Sequence, residues 1–161
     1  MQKKEVAFSY ESYDSVEELS QEDAQLLNKA RSVTKDAYAP YSHFRVGAAA
    51  KLENNHTVTG TNQENASYPV GICAERVLLS TASSLYPGVP IDTLAISYDN
   101  EKGPSDQPIA PCGICRQSLQ EFEQRTGRAI RIILSGQKGR VYIISKSSLL
   151  LPFAFTSEEL K

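Results

Sequence analysis

All three cysteines of this 161-residue chain lie in two short stretches, CAER at 73–76 and PCGIC at 111–115. The first cysteine directly precedes a segment with helical periodicity, and the other two begin one. Helix N-termini carry partial positive charge and free N–H groups, and both favour the thiolate, the form of cysteine that binds metal ions. The two stretches therefore predict helix starts that can share one metal ion.

The spacing and number of the cysteines indicate the kind of metal site. Two residues separate Cys112 from Cys115, so both sulfurs can reach one ion, and Cys73 can bring a third. Three thiolates favour zinc over a hard cation such as Mg²⁺. A closed structural site needs a fourth protein ligand, here His43, His56 or a carboxylate, whereas a catalytic site leaves that place to water. We expect both histidines at the surface or beside the site, so the sequence favours an open site.

Two charged residues follow the first cysteine, and each has a possible role at such a site. A carboxylate at Glu75, beside a metal-held water, can accept its proton and later deliver it to a substrate. Acidic residues are also common in the first turn of any helix, but the open three-cysteine site favours the catalytic interpretation. Three thiolates and Zn²⁺ leave one excess negative charge, which Arg76 is predicted to offset by donating to a thiolate.

Other interpretations of the cysteines remain open. A C-x-x-C pair in a cytosolic protein can be a redox pair, although that role leaves Cys73 and Glu75 unexplained. A purely structural zinc site is the second alternative.

Charge and composition narrow the class of protein. The net charge is −2 and 22% of the residues are charged, a balance that argues against a nucleic-acid partner. The N-terminus lacks the pattern of a secretory signal, and no apolar run approaches the length of a membrane span. An odd cysteine count suits a disulfide framework poorly, so we expect a cytoplasmic protein.

The length fits one domain, with residues 1–19 as an N-terminal extension and 20–161 as the domain proper. Alternation at Val6, Phe8 and Tyr10 predicts a short strand in the extension. The elements predicted for the domain are, in order, a helix after Ser20 that ends before Pro40, hairpin strands at 44–53 and 57–62, a helix at 74–86, a strand at 91–98, a helix from Gly113 to Gly127, and strands at 128–136 and 141–145. Strands alternating with helices predict an α/β layered domain.

Five stretches, in order, resemble the small zinc-dependent cytidine deaminases that use three cysteines. They are AYAPYSHFRVGAA (37–49), TGTNQENASY (59–68), CAER (73–76), PCGICRQSLQEF (111–122) and LLPFAF (150–155). The resemblance implies a three-layer α/β fold with a mixed sheet of about five strands flanked by helices. It also implies hydrolytic deamination of free cytidine and 2′-deoxycytidine, with release of ammonia, in pyrimidine salvage.

The same resemblance assigns roles to individual residues. Cys73, Cys112 and Cys115 would hold one zinc ion per chain, with Glu75 as the proton carrier. The resemblance implies that Phe44 packs against the pyrimidine and that the backbone around Ala74 contacts the base. It implies that Asn62 and Glu64 bind the ribose hydroxyls. Tyr68 and Phe155 would contribute to the active sites of neighbouring chains in a homotetramer. The chain departs from the pattern in its first 19 residues and at Phe153, where many relatives have a small residue. Alternatives are another cytosine-containing nucleoside or nucleotide as substrate, or a non-catalytic zinc-stabilised binding protein.

Overall fold

Three α-helices and six strands make up the regular structure of residues 1–160, the part of the chain that this computed structural model describes. In chain order the elements are β1 (Glu11–Tyr13), α1 (Gln21–Val33), β2 (Phe44–Leu52), β3 (Thr57–Thr61), α2 (Ala74–Leu85), β4 (Ile91–Asn100), α3 (Gly113–Thr126), β5 (Arg131–Ser135) and β6 (Val141–Ile144). The hairpin, the two later helices and the last three strands lie where the sequence predicts them.

The strands form one mixed sheet in the order β1-β6-β5-β4-β2-β3. The β4–β5 pair is parallel and the other four pairs are antiparallel. The sheet therefore has one strand more than the five or so that the resemblance implies, and the additional strand is β1 on the edge of β6.

The strand predicted at Val6, Phe8 and Tyr10 is wrong in position. Residues 1–10 form no strand, and the strand of the extension is β1, at Glu11–Tyr13. Pairing with the free edge of β6 decides where the strand lies, because alternation alone provides no hydrogen-bonding partner. Tyr10 instead packs its ring against Tyr142, with 4.8 Å between ring centroids.

Helix α1 covers one face of the sheet. Ser20 caps it as predicted, with its Oγ accepting from the backbone N–H of Asp23 at 3.2 Å. The helix ends at Val33, before Pro40 as predicted, and continues as a short 3-10 turn over 34–36. The Thr34 hydroxyl donates to the Arg31 carbonyl at 2.8 Å, a local bond that competes with the regular α-helical pattern.

Helices α2 and α3 cover the opposite face, so the molecule has the three layers that the resemblance implies. Their buried Leu78 and Leu119 belong to the larger apolar cluster, together with β2 and β4 side chains. The first turn of α2 lies directly on β3 at Gly60. A Cβ there would stand 2.5 Å from both the Ala74 carbonyl oxygen and the Leu78 nitrogen. The absence of a side chain at Gly60 thus lets the start of α2 approach the sheet.

Among residues 1–160, none of the helices combines the length and the apolarity that a bilayer span requires.

Candidate active site

The three cysteine sulfurs meet where α2 and α3 begin. Cys73 and Cys112 are the residues immediately before the two helices, and Cys115 lies in the first turn of α3. The Sγ atoms of Cys73 and Cys112 are 3.7 Å apart, and those of Cys112 and Cys115 are 3.5 Å apart. Zinc–sulfur bonds of about 2.3 Å in a tetrahedron require sulfurs about 3.8 Å apart. The geometry therefore fits one tetrahedral metal ion.

Hydrogen bonding and burial set the ionisation of the sulfurs. A hydrogen bond from Cys115 lowers the pKa of Cys73 to about 6, although burial and the charge of Glu75 oppose the shift. The same bond raises the pKa of Cys115, and so do burial and the negative charges of Glu75 and Cys73. Cys73 therefore ionises most readily, and Cys115 shares its proton with it. A bound divalent cation would favour the thiolate form of all three sulfurs.

Glu75 lies at the same helix start and is buried, with 5% of its surface exposed. Burial raises the pKa of its carboxyl group, while bonds from its own backbone N–H and from Cys115 oppose the increase. A carboxylate with a raised pKa is a stronger base than an ordinary carboxylate, and its protonated form can return the proton to a substrate.

The other charged candidates make no hydrogen bond to the sulfurs within residues 1–160. Among residues 1–160, no side-chain hydrogen bond joins Arg76 to a sulfur, and Arg76 lines an outer groove of about 630 Å³ between α2 and α3. Its charge nevertheless lowers the pKa of Cys73. His43 pairs with Glu101 at 3.0 Å, and His56 stacks on Tyr86. Neither histidine belongs to the sulfur cluster in the described part of the chain.

A cavity of about 350 Å³ opens above the sulfurs. Eight of the residues singled out by sequence line it: Phe44, Asn62, Glu64, Tyr68, Cys73, Ala74, Glu75 and Cys112. Cys115 lies buried beneath them, and Phe155 is exposed and does not line this cavity. The cavity therefore places two aromatic rings, the Asn62 amide and two carboxylates around the sulfur cluster.

Backbone hydrogen bonds hold the polar residues of the cavity wall. The side-chain oxygen of Asn62 accepts from the N–H of Val46 at 2.7 Å, and its amide nitrogen donates to the Phe44 carbonyl at 2.9 Å. Glu64 accepts from the N–H groups of Tyr41 and Ser42 at 2.9 and 3.2 Å. Burial works to raise the pKa of Glu64, but the bonds from Ser42 and Tyr41 prevail and lower it. Glu64 is thus an ionised carboxylate in a fixed position.

Stacking holds the Phe44 ring of the cavity wall in place. The ring of Phe44 stacks on Tyr98 with 4.8 Å between centroids and 14° between planes. Tyr68 is 75% exposed at the cavity rim.

Comparison with known proteins identifies the family. A family model described as the cytidine and deoxycytidylate deaminase zinc-binding region matches residues 20–129. A cytidine deaminase of Halalkalibacterium halodurans is 36% identical over 135 residues, which cover 84% of this chain and 95% of the relative. The chain belongs to the cytidine deaminase family.

Solved structures of the family agree with the fold. A cytidine deaminase from Burkholderia pseudomallei has a TM-score of 0.72 and 33% identity, over 85% of this chain and 100% of that one. One from Mycobacterium tuberculosis has a TM-score of 0.64 and 28% identity, over 84% and 98% of the two chains. The family match begins at residue 20, so the first 19 residues lie outside it.

Sequence reasoning missed several residues that line the cavity. Val46 lies two positions after Phe44 on β2, and side chains two apart on a strand share a face. Ile109 and Ala110 precede PCGIC in a segment predicted only as a loop. Period-two spacing from Phe44 and proximity to Cys112 were the signals that could have identified them.

Proposed function

We propose that this chain catalyses the hydrolytic deamination of free cytidine and 2′-deoxycytidine to uridine and 2′-deoxyuridine, releasing ammonia. The observation that carries the proposal is a buried carboxyl group, Glu75, beside three clustered sulfurs on the floor of a nucleoside-sized cavity. The named relatives are cytidine deaminases, which supports the same reaction class.

Cys73, Cys112 and Cys115 would hold one zinc ion per chain. When bound, zinc supplies Lewis-acid activation of a water molecule. The two helix N-termini and the charge of Arg76 offset the negative charge of the sulfurs, which is the role we propose for that arginine.

Glu75 would carry the proton of the reaction. Its carboxylate takes one proton from the attacking water and delivers it to N3 of the pyrimidine. It then takes the proton of the new C4 hydroxyl and delivers it to the amino group, so that the C4–N bond breaks, ammonia leaves and C4 becomes the carbonyl of uridine. The raised pKa suits this cycle, because a carboxylate that holds its proton more tightly than usual is a better base toward water and can still pass the proton on to the substrate. Burial of Glu75 also keeps bulk water from competing for that proton.

The cavity walls would bind the nucleoside. Phe44 provides an apolar face for the pyrimidine, and the backbone at Ala74 meets the base edge. Asn62 retains one amide N–H that its backbone bonds leave available for a ribose hydroxyl, and Glu64 offers acceptors. An ionised carboxylate favours sugar hydroxyls over a 5′-phosphate, since it would repel the phosphate charge.

We also propose a homotetramer with shared sites, working in pyrimidine salvage in the cytoplasm. The exposure of Phe155, and of Tyr68 at the cavity rim, supports a contribution of these rings to a neighbouring chain. Sedimentation equilibrium should give four chain masses; a single chain mass at enzyme-assay concentrations would contradict the tetramer.

The substrate assignment is tested by ultraviolet absorbance with cytidine, 2′-deoxycytidine and cytidine 5′-monophosphate in parallel. We expect turnover of both nucleosides and much slower turnover of the nucleotide. Preferential turnover of the nucleotide would reassign the substrate, and no turnover of any of the three would favour a non-catalytic zinc protein.

A further inference from the structure

Arg116 directly follows the metal-site cysteine Cys115 and connects two distant parts of the chain. Its Nε donates to the carbonyl oxygen of Pro111 at 2.8 Å, and its Nη1 donates to the carbonyl oxygen of Leu150 at 2.9 Å. Pro111 is buried and immediately precedes Cys112. One guanidinium group therefore joins two parts of the chain. The first is the metal-binding turn, defined here as residues 111–115, which carries two of the sulfurs, and the second is the C-terminal segment, defined here as residues 150–155.

The next residue of α3 holds the other end of that segment. The side-chain amide of Gln117 donates to the carbonyl oxygen of Phe155 at 2.8 Å. Consecutive side chains after Cys115 thus fasten the C-terminal segment at both its first and its last residue, but only Arg116 also reaches the metal-binding turn.

The metal-binding turn needs such support because packing holds its two ends, at Pro111 and Cys115, but not its middle. Cys112 is exposed, and a Cβ on the adjacent Gly113 would meet no atom within 4 Å. A guanidinium group is always charged and presents its N–H donors in a rigid plane, so it can hold two carbonyl groups in a fixed relation. A lysine at the same position would be a single flexible donor group.

We infer that Arg116 is a positioning residue that couples the C-terminal segment to the metal-binding turn, so that each stabilises the other. The inference rests on the proposed function in so far as the three cysteines hold zinc. Arg116 acts on the position of Cys112 and needs no contact with the substrate.

The test compares zinc release from the zinc-loaded wild-type protein and from R116K, after addition of a chelator with a colour indicator. We expect release from R116K to be on the order of ten times faster, the low end of what loss of a supporting contact around a metal site costs. Zinc retained by the wild type and released at the same rate by R116K would overturn this inference alone. A wild-type protein that retains no zinc would overturn the proposed function as well.

Two control variants separate coupling from a general loss of stability. Gln117→Ala removes only the bond to Phe155. Glu123→Gln replaces with an amide a buried carboxylate that accepts hydrogen bonds from Ile130 and Ser147. These bonds do not involve the metal-binding turn. Both should release zinc at nearly the wild-type rate. Release from Glu123→Gln as fast as from R116K would mean that Arg116 has only a structural role.

Coupling must also act in the reverse direction, because linkage between two parts of a molecule is reciprocal. Removing zinc from the wild type should therefore speed amide hydrogen exchange in the peptide that contains the C-terminal segment. In R116K the same removal should change that exchange little. Equal changes in the two proteins, or no change in the wild type, would contradict the coupling.

Discussion

Glu75 is the residue on which the proposed chemistry depends most. It follows Cys73 by two positions, lies in the first turn of α2 and is buried beside the sulfur cluster. Glu75→Gln keeps the size of the side chain but removes its ability to accept a proton. We expect kcat for cytidine to fall roughly a hundred- to ten-thousand-fold, with the zinc content unchanged. Loss of zinc in parallel with activity would show instead that Glu75 supports the metal site.

Gly60 shows how one missing side chain positions an element. Because a Cβ at Gly60 would collide with backbone atoms of α2, Gly60→Ala should displace the start of that helix and cost about 1–3 kcal/mol of unfolding free energy. Chemical denaturation measures the loss. Gly113→Ala is the matched control, since a Cβ there meets no atom within 4 Å. Equal stability of the two variants would contradict the close approach of α2 to β3.

The contact of α1 with β5 depends on pH. Arg131 donates to both carboxylate oxygens of Asp23, at 2.6 and 2.9 Å. Burial works to raise the pKa of Asp23, but the hydrogen bonds and charge of Arg131 lower it overall. Because folding lowers this pKa, the stabilisation is complete above about pH 4, the unfolded-chain value, and is lost as pH falls through the lower folded value.

Asp23→Asn should therefore cost roughly 1 kcal/mol near neutral pH and should flatten the decline in stability below pH 4. Urea unfolding at a series of pH values measures both effects. A variant with an acid decline as steep as that of the wild type would mean that other carboxyl groups dominate it.

The elements differ in how far sequence could predict them. The starts of α2 and α3 could be predicted, because periodicity and the two cysteine stretches coincide there. The position of β1 could not be predicted, because it depends on the free edge of β6, which is distant in sequence. The bond from Arg116 to Leu150 likewise joins residues 34 positions apart. Phe153 adopts a φ of 59°, which no local pattern around a phenylalanine predicts.

For the whole molecule, the N-terminal extension adds a strand outside the family match. We propose that β1 protects the edge of β6, because an exposed strand edge pairs readily with other chains. Removal of residues 1–19 should leave kcat for cytidine unchanged while lowering the Tm and increasing aggregation. Each kcal/mol lost lowers the Tm of a chain of this size by roughly 2–4 °C.

Removal of residues 1–9 is the matched control, because it keeps β1 and the contact of Tyr10 with Tyr142. Calorimetry and light scattering compare the two truncated proteins. Equal stability and aggregation of both would show that β1 has no protective role.

The central claim is that three cysteines hold one zinc ion beside Glu75 and that this site deaminates cytidine. The most direct measurement is cytidine turnover by the metal-free protein as zinc is added in steps. We predict a rate that starts near zero, rises in proportion to bound zinc and becomes constant at one zinc per chain. Full turnover before zinc is added, or none at one zinc per chain, would contradict the account.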